Sequence, residues 1–353
     1  MKAMQLLEPT KLELTEIDVP EIGPGEVLLR VLAAGVCQTD VHMRHTTAAF
    51  APVGTVLGHE TAGEVAAVGA GVRGWAVGAA AAVYPVWSCG ACLACAAGRQ
   101  NACRRTGHRL VPSPTPGVSV GVHGGMAEYM AVPASALVPA DGLDPAVAAT
   151  LTDAALTPYH SIKETAHLLG PGSTAVVIGA GGLGRMAVQI LRAVTAARIV
   201  VLDVRQAALD AIRDQVDVAL PGGDPSVAEQ VLAGTGGYGA EVVLDLVGED
   251  KTLALAAAAV APYGAVRAIG LTEGEFTFET SQGALSLPWG ASLTRPYSGT
   301  YADLVEVVAL AGAGHLAPAV QRFPLDRGLA VFDDLEAGRL TGRGVLVPDP
   351  AGD

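Results

Sequence analysis

AVVIGAGGLG, residues 175–184, closes an apolar strand-like run in glycines and passes directly into an amphipathic helix. Gly179, Gly181 and Gly184 spell GxGxxG after the strand TAVVI, with Gly182 and Leu183 between them. Leu183, Ala187, Ile190, Leu191 and Val194 recur at helical spacing and predict one buried face. Glycines let a phosphate approach the backbone closely, and the bare N–H groups of a helix N-terminus attract it. The stretch therefore reads as a seat for a dinucleotide pyrophosphate. A second strand, ARIVVL, follows, and Asp203 stands nineteen residues beyond Gly184 at its end. A carboxylate there accepts hydrogen bonds from the adenosine ribose and repels a 2′-phosphate, so the pattern favours NAD over NADP. Arg205, two residues on, is counted with the cofactor-binding residues.

Working outward, the pattern continues as a parallel α/β unit. A helix is predicted around Gln206–Gln215 and another near Ser226–Leu232, then the strand EVVLDLVG, a helix over Asp250–Val260 and the strand AVRAIGL. From about Tyr297 the chain carries a helix, a GAGH turn, the strand VQRFPL, a short helix and a final GRGVLVP. That tail is too short for a domain of its own and is expected to fold back onto the N-terminal one.

With 353 residues, 50% of them hydrophobic and 16% charged, the chain is globular and long enough for roughly two domains. Aromatics make up 4% and glycines number 44, so the core is expected to be aliphatic with close backbone contacts. The formal net charge of −13 argues against nucleic acid or an anionic membrane as partner, because both select basic surfaces. The charged N-terminus MKAMQLLEPTKLELTEIDVP has neither the apolar core of a signal peptide nor that of an anchor, which predicts a cytoplasmic protein.

Before the glycine run, LELTEIDV, a GPGE turn and VLLRVLAAG alternate like short strands and open a small β-rich domain. It leads into GVCQTDVHMRH and LGHETAGEV, which place Cys37, Asp40, His42, His59 and Glu60 in two short segments. Cys and His bind zinc, and a carboxylate is the usual group that orients a ligating imidazole. Taken singly, each of these residues is as compatible with a packed core. The run CGACLACAAGRQNAC is more specific. Cys89, Cys92, Cys95 and Cys103 lie at separations of three, three and eight, a spacing that wraps one tetrahedral zinc in a closed, structural shell. Disulfides are disfavoured by the reducing compartment. All five cysteines are then in use, with Cys37 standing apart. Further on, DGLDPAVAATLTDAALTPYHSIKETAHLL reads as helix, turn and helix, started by Asp141 or Asp144 with Pro145. Asp153 lies in its apolar middle, either as a helix cap or with a partner such as a metal.

GVCQTD, LGHE, the four-cysteine loop, LTDAALTPYH and VIGAGGLG, in this order, closely resemble the zinc-dependent medium-chain alcohol dehydrogenases over nearly the whole chain. The nearest type is the bacterial NAD-dependent secondary-alcohol dehydrogenase with Asp as a zinc ligand. The resemblance implies an α/β protein: a β-rich, GroES-like catalytic domain over 1–157 and 298–353, and a doubly wound parallel-sheet Rossmann domain over 158–297. It implies two zinc ions per chain, the catalytic one held by Cys37, His59 and Asp153, with Glu60 as the rival third ligand. Asp40 would orient His59, and Thr39, the cofactor's ribose hydroxyl and His42 would relay the proton released when an alcohol passes hydride to NAD. For the cofactor it adds Thr157 and Leu183 against the nicotinamide and Arg343 at the pyrophosphate, with Ile269 and Leu271 also counted among the cofactor-binding residues. Relatives often carry His or Arg after the cysteine, where this chain has the neutral Gln38, which removes one charge-assisted hydrogen bond worth about 1 kcal/mol.

The expected activity is hydride transfer between NAD(H) and a secondary or primary alcohol, or the corresponding ketone or aldehyde, in a homodimer or homotetramer. Two other readings fit the scaffold: a biosynthetic reductase acting on an unsaturated or imine-like group, and a non-catalytic protein that keeps the fold. Loop residues near Phe50, Trp87, Trp289 and Tyr297 are the expected lining of the substrate pocket.

Overall fold

The computed structural model of the chain describes residues 1–8, 10–45, 52–109, 113–118, 122–280 and 287–348. The chain divides into two compact units, Met1–Leu156 with Thr300–Asp353, and Thr157–Gly299. Its first part holds β1 (Lys2–Glu8), β2 (Lys11–Glu16), β3 (Glu26–Gly35), α1 (Gln38–His45), β4 (Thr55–Val56), β5 (Glu60–Val68), β6 (Ala80–Val83), α2 (Leu93–Ala96), β7 (Tyr129–Pro133), β8 (Leu137–Pro139) and α3 (Pro145–Thr150). The middle holds α4 (Leu156–Thr165), β9 (Thr174–Ile178), α5 (Gly182–Val194), β10 (Arg198–Asp203), α6 (Gln206–Asp210), β11 (Val218–Pro221), α7 (Val227–Gly234), β12 (Ala240–Asp245), α8 (Asp250–Ala259), β13 (Val260–Ala268) and β14 (Ser292–Thr294). The tail holds α9 (Tyr301–Gly312), β15 (Val320–Pro324), α10 (Gly328–Glu336) and β16 (Arg343–Val347).

In the unit formed by both chain ends, a sheet runs β15-β16-β3-β5-β6-β8, with β7 pairing the other part of β3. The tail thus joins the N-terminal sheet: β16 lies antiparallel to β3 through Val345 opposite Gly35 and Leu346 opposite Ala34. Alanines at Ala33, Ala62 and Ala82 on the sheet meet Ala146, Ala148 and Ala149 on α3. Such small side chains let a helix lie close against strands. Helix α3 starts where Asp144 accepts from the N–H groups of Ala146 (2.9 Å) and Val147 (3.3 Å), with Pro145 in its first turn.

The second unit is a parallel sheet of order β11-β10-β9-β12-β13-β14. The order reverses between β9 and β12, and dinucleotides bind at the carboxyl ends of strands flanking such a switch. Val176, Ile178, Val200, Leu202, Val243 and Val266 fill its core. Their branched side chains suit a sheet covered on both faces.

Three elements differ from the expectations. No turn separates α3 from α4: a π-helical segment, Leu151–Ala155, joins them and carries Asp153. Helix α6 ends at Asp210 rather than Gln215, as Ile212 leaves helical backbone (φ −125°) and buries its side chain. On α5, Ala187, Ile190 and Leu191 are buried as expected, joined by Met186 and Val188, while Val194 in the last turn is exposed. No helix among the described residues is long and apolar enough to cross a membrane.

Candidate active site and metal centres

Cys37 sits where β3 ends and α1 begins. Its N–H donates to Asp40 Oδ2 at 2.9 Å, and its carbonyl accepts from the N–H groups of Asp40 and Val41. The other oxygen of the same carboxylate, Oδ1, is 3.2 Å from His59 Nδ1, so that nitrogen carries the proton and donates, since a carboxylate only accepts. Asp40 is fully buried, and one side chain thereby fixes both the thiol-bearing turn and the imidazole. Nε2 of His59 then faces Asp153 Oδ2 at 3.6 Å, and Cys37 Sγ lies 3.4 Å from that oxygen. Burial works against a charged imidazole, but the Asp40 carboxylate and hydrogen bonds to Asp153, Asp40 and Cys37 outweigh it and raise the His59 pKa well above its ordinary value.

Glu60, beside His59 at the start of β5, is also fully buried, and Arg343 at the start of β16 grips both its oxygens, Nε donating at 2.9 Å and Nη2 donating to Oε1. Burial pushes the Glu60 carboxyl up to about 7 in spite of that guanidinium. Nη2 of Arg343 reaches Asp153 Oδ2 as well, at 3.4 Å. Burial would lower the Arg343 pKa, but Glu60, Cys37 and Asp153 together raise it. Donor atoms of Cys37, His59, Glu60 and Asp153 all lie within 4.8 Å of one another. Tetrahedral ligands at zinc bond lengths lie about 3.3–3.8 Å apart. The 3.4 and 3.6 Å separations around Asp153 match, so a thiol, an imidazole and a carboxylate here suit zinc.

Thr39 and His42 stand three residues apart on α1, one turn of the same face. The Thr39 hydroxyl is 3.7 Å from Cys37 Sγ. Gln38, at the start of the same helix, is exposed.

The four-cysteine loop forms a second cluster around α2. Cys92 Sγ lies 3.5 Å from Cys95 Sγ and 3.9 Å from Cys103 Sγ, and Cys89 Sγ lies 4.0 Å from Cys95 Sγ. Zinc–sulfur bonds of about 2.3 Å give tetrahedral edges of about 3.8 Å. Backbone N–H groups point at the sulfurs, Cys89 to Cys103 at 3.4 Å and Arg104 to Cys92 at 3.3 Å. The Arg104 N–H, with further donors, holds the Cys92 thiol down to about 7. Burial opposes ionisation of Cys103, yet N–H groups of Cys89, Thr106 and Arg105 with the Thr106 hydroxyl bring it to about 5. Burial pushes Cys95 up to about 11. Two of the four sulfurs, those of Cys92 and Cys103, are thus favoured as thiolates, and none of the five cysteines is in a disulfide.

In the parallel-sheet unit, Gly179 has φ +97°, and a Cβ on Gly184 would come 1.9 Å from the Gly179 carbonyl oxygen. Both positions therefore require glycine. Gly181 differs, for nothing lies within 4 Å of where its Cβ would stand. That open space at the start of α5, which begins at Gly182 and Leu183, is what a pyrophosphate would fill. Asp203 ends β10 and accepts from the Ala180 N–H at 2.7 Å; Arg205 lies on the same carboxylate. Ile269 is buried and its N–H bonds the Asp245 carbonyl at 2.7 Å, whereas Leu271 is 47% exposed. Thr157 is buried at the start of α4, its carbonyl accepting from the Ser161 hydroxyl.

Of the expected pocket residues, Trp87 borders a cavity: with Val56 and His123 it lines a space of about 720 Å³ in the unit formed by both chain ends. Tyr297 is half-buried, and Trp289 is 73% exposed. Phe50 lies outside the described residues.

Two family models match the chain: the alcohol dehydrogenase GroES-like domain over residues 23–142 and the zinc-binding dehydrogenase over 182–311. An NAD-dependent alcohol dehydrogenase of Sulfurisphaera tokodaii is 34% identical over 99% of this chain and 100% of its own. A D-arabinose 1-dehydrogenase (NADP(+)) of Saccharolobus solfataricus is 31% identical over 97% of this chain and 95% of its own. The crystal structure of the alcohol dehydrogenase of Aeropyrum pernix superposes with a TM-score of 0.89 at 31% identity, covering 99% of this chain and 100% of that one.

Proposed function

This chain belongs to the zinc-binding alcohol dehydrogenases, and from that membership we propose that it interconverts secondary or primary alcohols with ketones or aldehydes, using NAD(H) and two zinc ions per chain. The observation that carries the reading is the convergence of Cys37, His59 and Asp153 on one buried point. When bound there, zinc supplies Lewis acidity toward a hydroxyl or carbonyl oxygen, and NAD supplies the hydride acceptor.

The chain's own residues do the rest. Asp40 keeps the His59 proton on Nδ1 and leaves Nε2 free to ligate. Arg343 occupies both oxygens of Glu60, which favours Asp153 over Glu60 as the third ligand. Thr39 and His42, one helical turn apart, pass the alcohol proton outward along α1. Gly179, Gly181 and Gly184 shape the pyrophosphate seat, with Leu183 and Thr157 assigned to the nicotinamide and Asp203 to the ribose. Cys89, Cys92, Cys95 and Cys103 hold the second, structural zinc.

Metal analysis of Asp153→Ala tests the ligand assignment. The variant is expected to carry about one zinc per chain against about two in the unaltered protein, with turnover lost. Two zinc ions retained would move the role to Glu60.

We also propose that copies of the chain associate and that the enzyme is cytoplasmic. β14 ends its sheet, and Ser292, Leu293 and Thr294 are exposed, leaving an edge that suits two-fold pairing. Unpaired thiols suit a reducing compartment. Sedimentation velocity should return a dimer or tetramer; a monomer at micromolar concentration would contradict the association.

A further inference from the structure

We infer that the four-cysteine lobe of one copy docks into the cleft beside Trp87 of a second copy, and that a two-fold pair of these contacts joins edge-paired dimers into a tetramer. This deepens the association proposed above and rests on it. Charge is divided sharply along the chain. Residues 65–127 contain none of its 35 acidic residues but five of its 22 Lys and Arg, in a chain of formal net charge −13. Arg99, Arg104, Arg105 and Arg109 stand together on the lobe, because the loop is wound tightly about its sulfurs. The Arg99 N–H donates to the Ala94 carbonyl at 2.9 Å, the Arg104 N–H to Cys92 Sγ at 3.3 Å, and the Gly107 N–H to the Cys103 carbonyl at 3.2 Å. All four arginines are exposed, and among the described residues no carboxylate pairs with their guanidinium groups. The same lobe presents Leu93 of α2, 66% exposed. An apolar side chain rimmed by arginines is the composition of an interface centre, where burial supplies affinity and the charged rim supplies direction.

A matching surface adjoins the lobe. The cleft of about 720 Å³ bordered by Trp87 has Ile17, Val19 and Val56 on its walls and the exposed Asp18 and Glu21 at its mouth. Neither carboxylate pairs with a cation among the described residues, and the Met1 ammonium on the same wall donates to the Ile17 carbonyl at 2.6 Å. Lobe and cleft share Trp87: it precedes Cys89 by two residues, and its carbonyl accepts from the Thr106 hydroxyl of the lobe at 3.2 Å. One face therefore carries both an apolar knob ringed by cations and an apolar recess rimmed by anions. That is the self-complementarity an isologous two-fold contact needs, each knob entering the other copy's cleft. A polyanion would answer the arginines but leave Leu93 in water, whereas a recess with acids at its mouth answers both. β14 lies in the other unit, so edge pairing uses a different part of the chain. Two distinct two-fold contacts together build a closed tetramer.

Sedimentation velocity on the zinc-replete protein and three variants tests this. The unaltered protein is expected to sediment as a tetramer. Arg99→Glu with Arg109→Glu on the lobe, and Asp18→Lys with Glu21→Lys at the cleft, should each halve the sedimenting mass, since like charges then face each other across the contact. Mixed in equal amounts, the two charge-reversed proteins should return to the tetramer, because each reversed lobe then meets a reversed cleft. Leu93→Asp should also stop at the dimer. Zinc content of about two per chain establishes that the lobe of each variant is folded. A tetramer retained by the charge-reversed variants, no recovery on mixing, or an unaltered dimer that every variant leaves a dimer would overturn the inference and leave association through β14 standing. An unaltered dimer that these variants split into monomers would keep the lobe contact and remove the edge pairing. A monomeric unaltered protein would overturn both.

Discussion

A single carboxylate, Asp40, ties together two ligands that come from separate segments of the chain. It accepts from the Cys37 N–H and holds His59 Nδ1. Asp40→Ala leaves a buried imidazole without its acceptor, and zinc affinity at this site is expected to fall about 10–100-fold, with turnover falling alongside. Chelator competition reads the affinity directly; an unchanged value would deny Asp40 its positioning role. Cys37, Asp40 and His59 stand out by residue type, but their roles were legible only through the resemblance to the family. The contacts of Arg343 within its own unit were not legible: it bonds Glu60 across 283 residues of sequence and touches Asp153, contacts that only the folding of the tail onto β3 creates. Spacing likewise sets Asp203 at its strand end with Arg205 two residues on, but does not show the guanidinium lying on the carboxylate.

At the scale of elements, the segment from Asp144 to Thr165 positions the site. Sequence periodicity placed two helices here but read a turn between them, because a π-helical segment keeps helical composition while shifting the phase of its side chains. That shift sets Asp153 among Cys37, His59 and Arg343. The start of the segment depends on Asp144. Burial would raise its pKa, but Arg322 and the N–H groups of Val147 and Ala146 hold it below the ordinary carboxylate range. A depressed folded-state pKa stabilises above the unfolded value and ceases to do so as pH falls through the folded one. Asp144→Ala should therefore cost about 1 kcal/mol at neutral pH, mostly from the lost cap because the Arg322 pair is half-exposed, and the difference should shrink below about pH 4. Urea midpoints at neutral and acid pH measure it; an equal difference at both would mean that the carboxylate charge is not what caps the helix.

For the molecule as a whole, the glycine run and the metal-ligand segments identified two kinds of architecture because each depends on short-range spacing. The parallel order β11-β10-β9-β12-β13-β14 and the return of β15 and β16 to the N-terminal sheet follow the pattern that alternating strands and helices impose. The substrate-facing surface was much less legible, since side-chain direction in loops is set by tertiary packing: Trp289 points into solvent, and Trp87 borders a cavity with Val56 and His123. Hydride transfer between an alcohol carbon and NAD at the proposed zinc site of Cys37, His59 and Asp153 requires that turnover depend on Asp153. The most direct measurement is NADH absorbance after mixing the zinc-replete protein with NAD and a panel of secondary and primary alcohols, with Asp153→Ala in parallel. NADH should accumulate with at least one alcohol and fail to accumulate with the variant. No NADH from any alcohol, and no NADH consumed with the matching ketones and aldehydes, by a protein carrying both zinc ions would contradict the account.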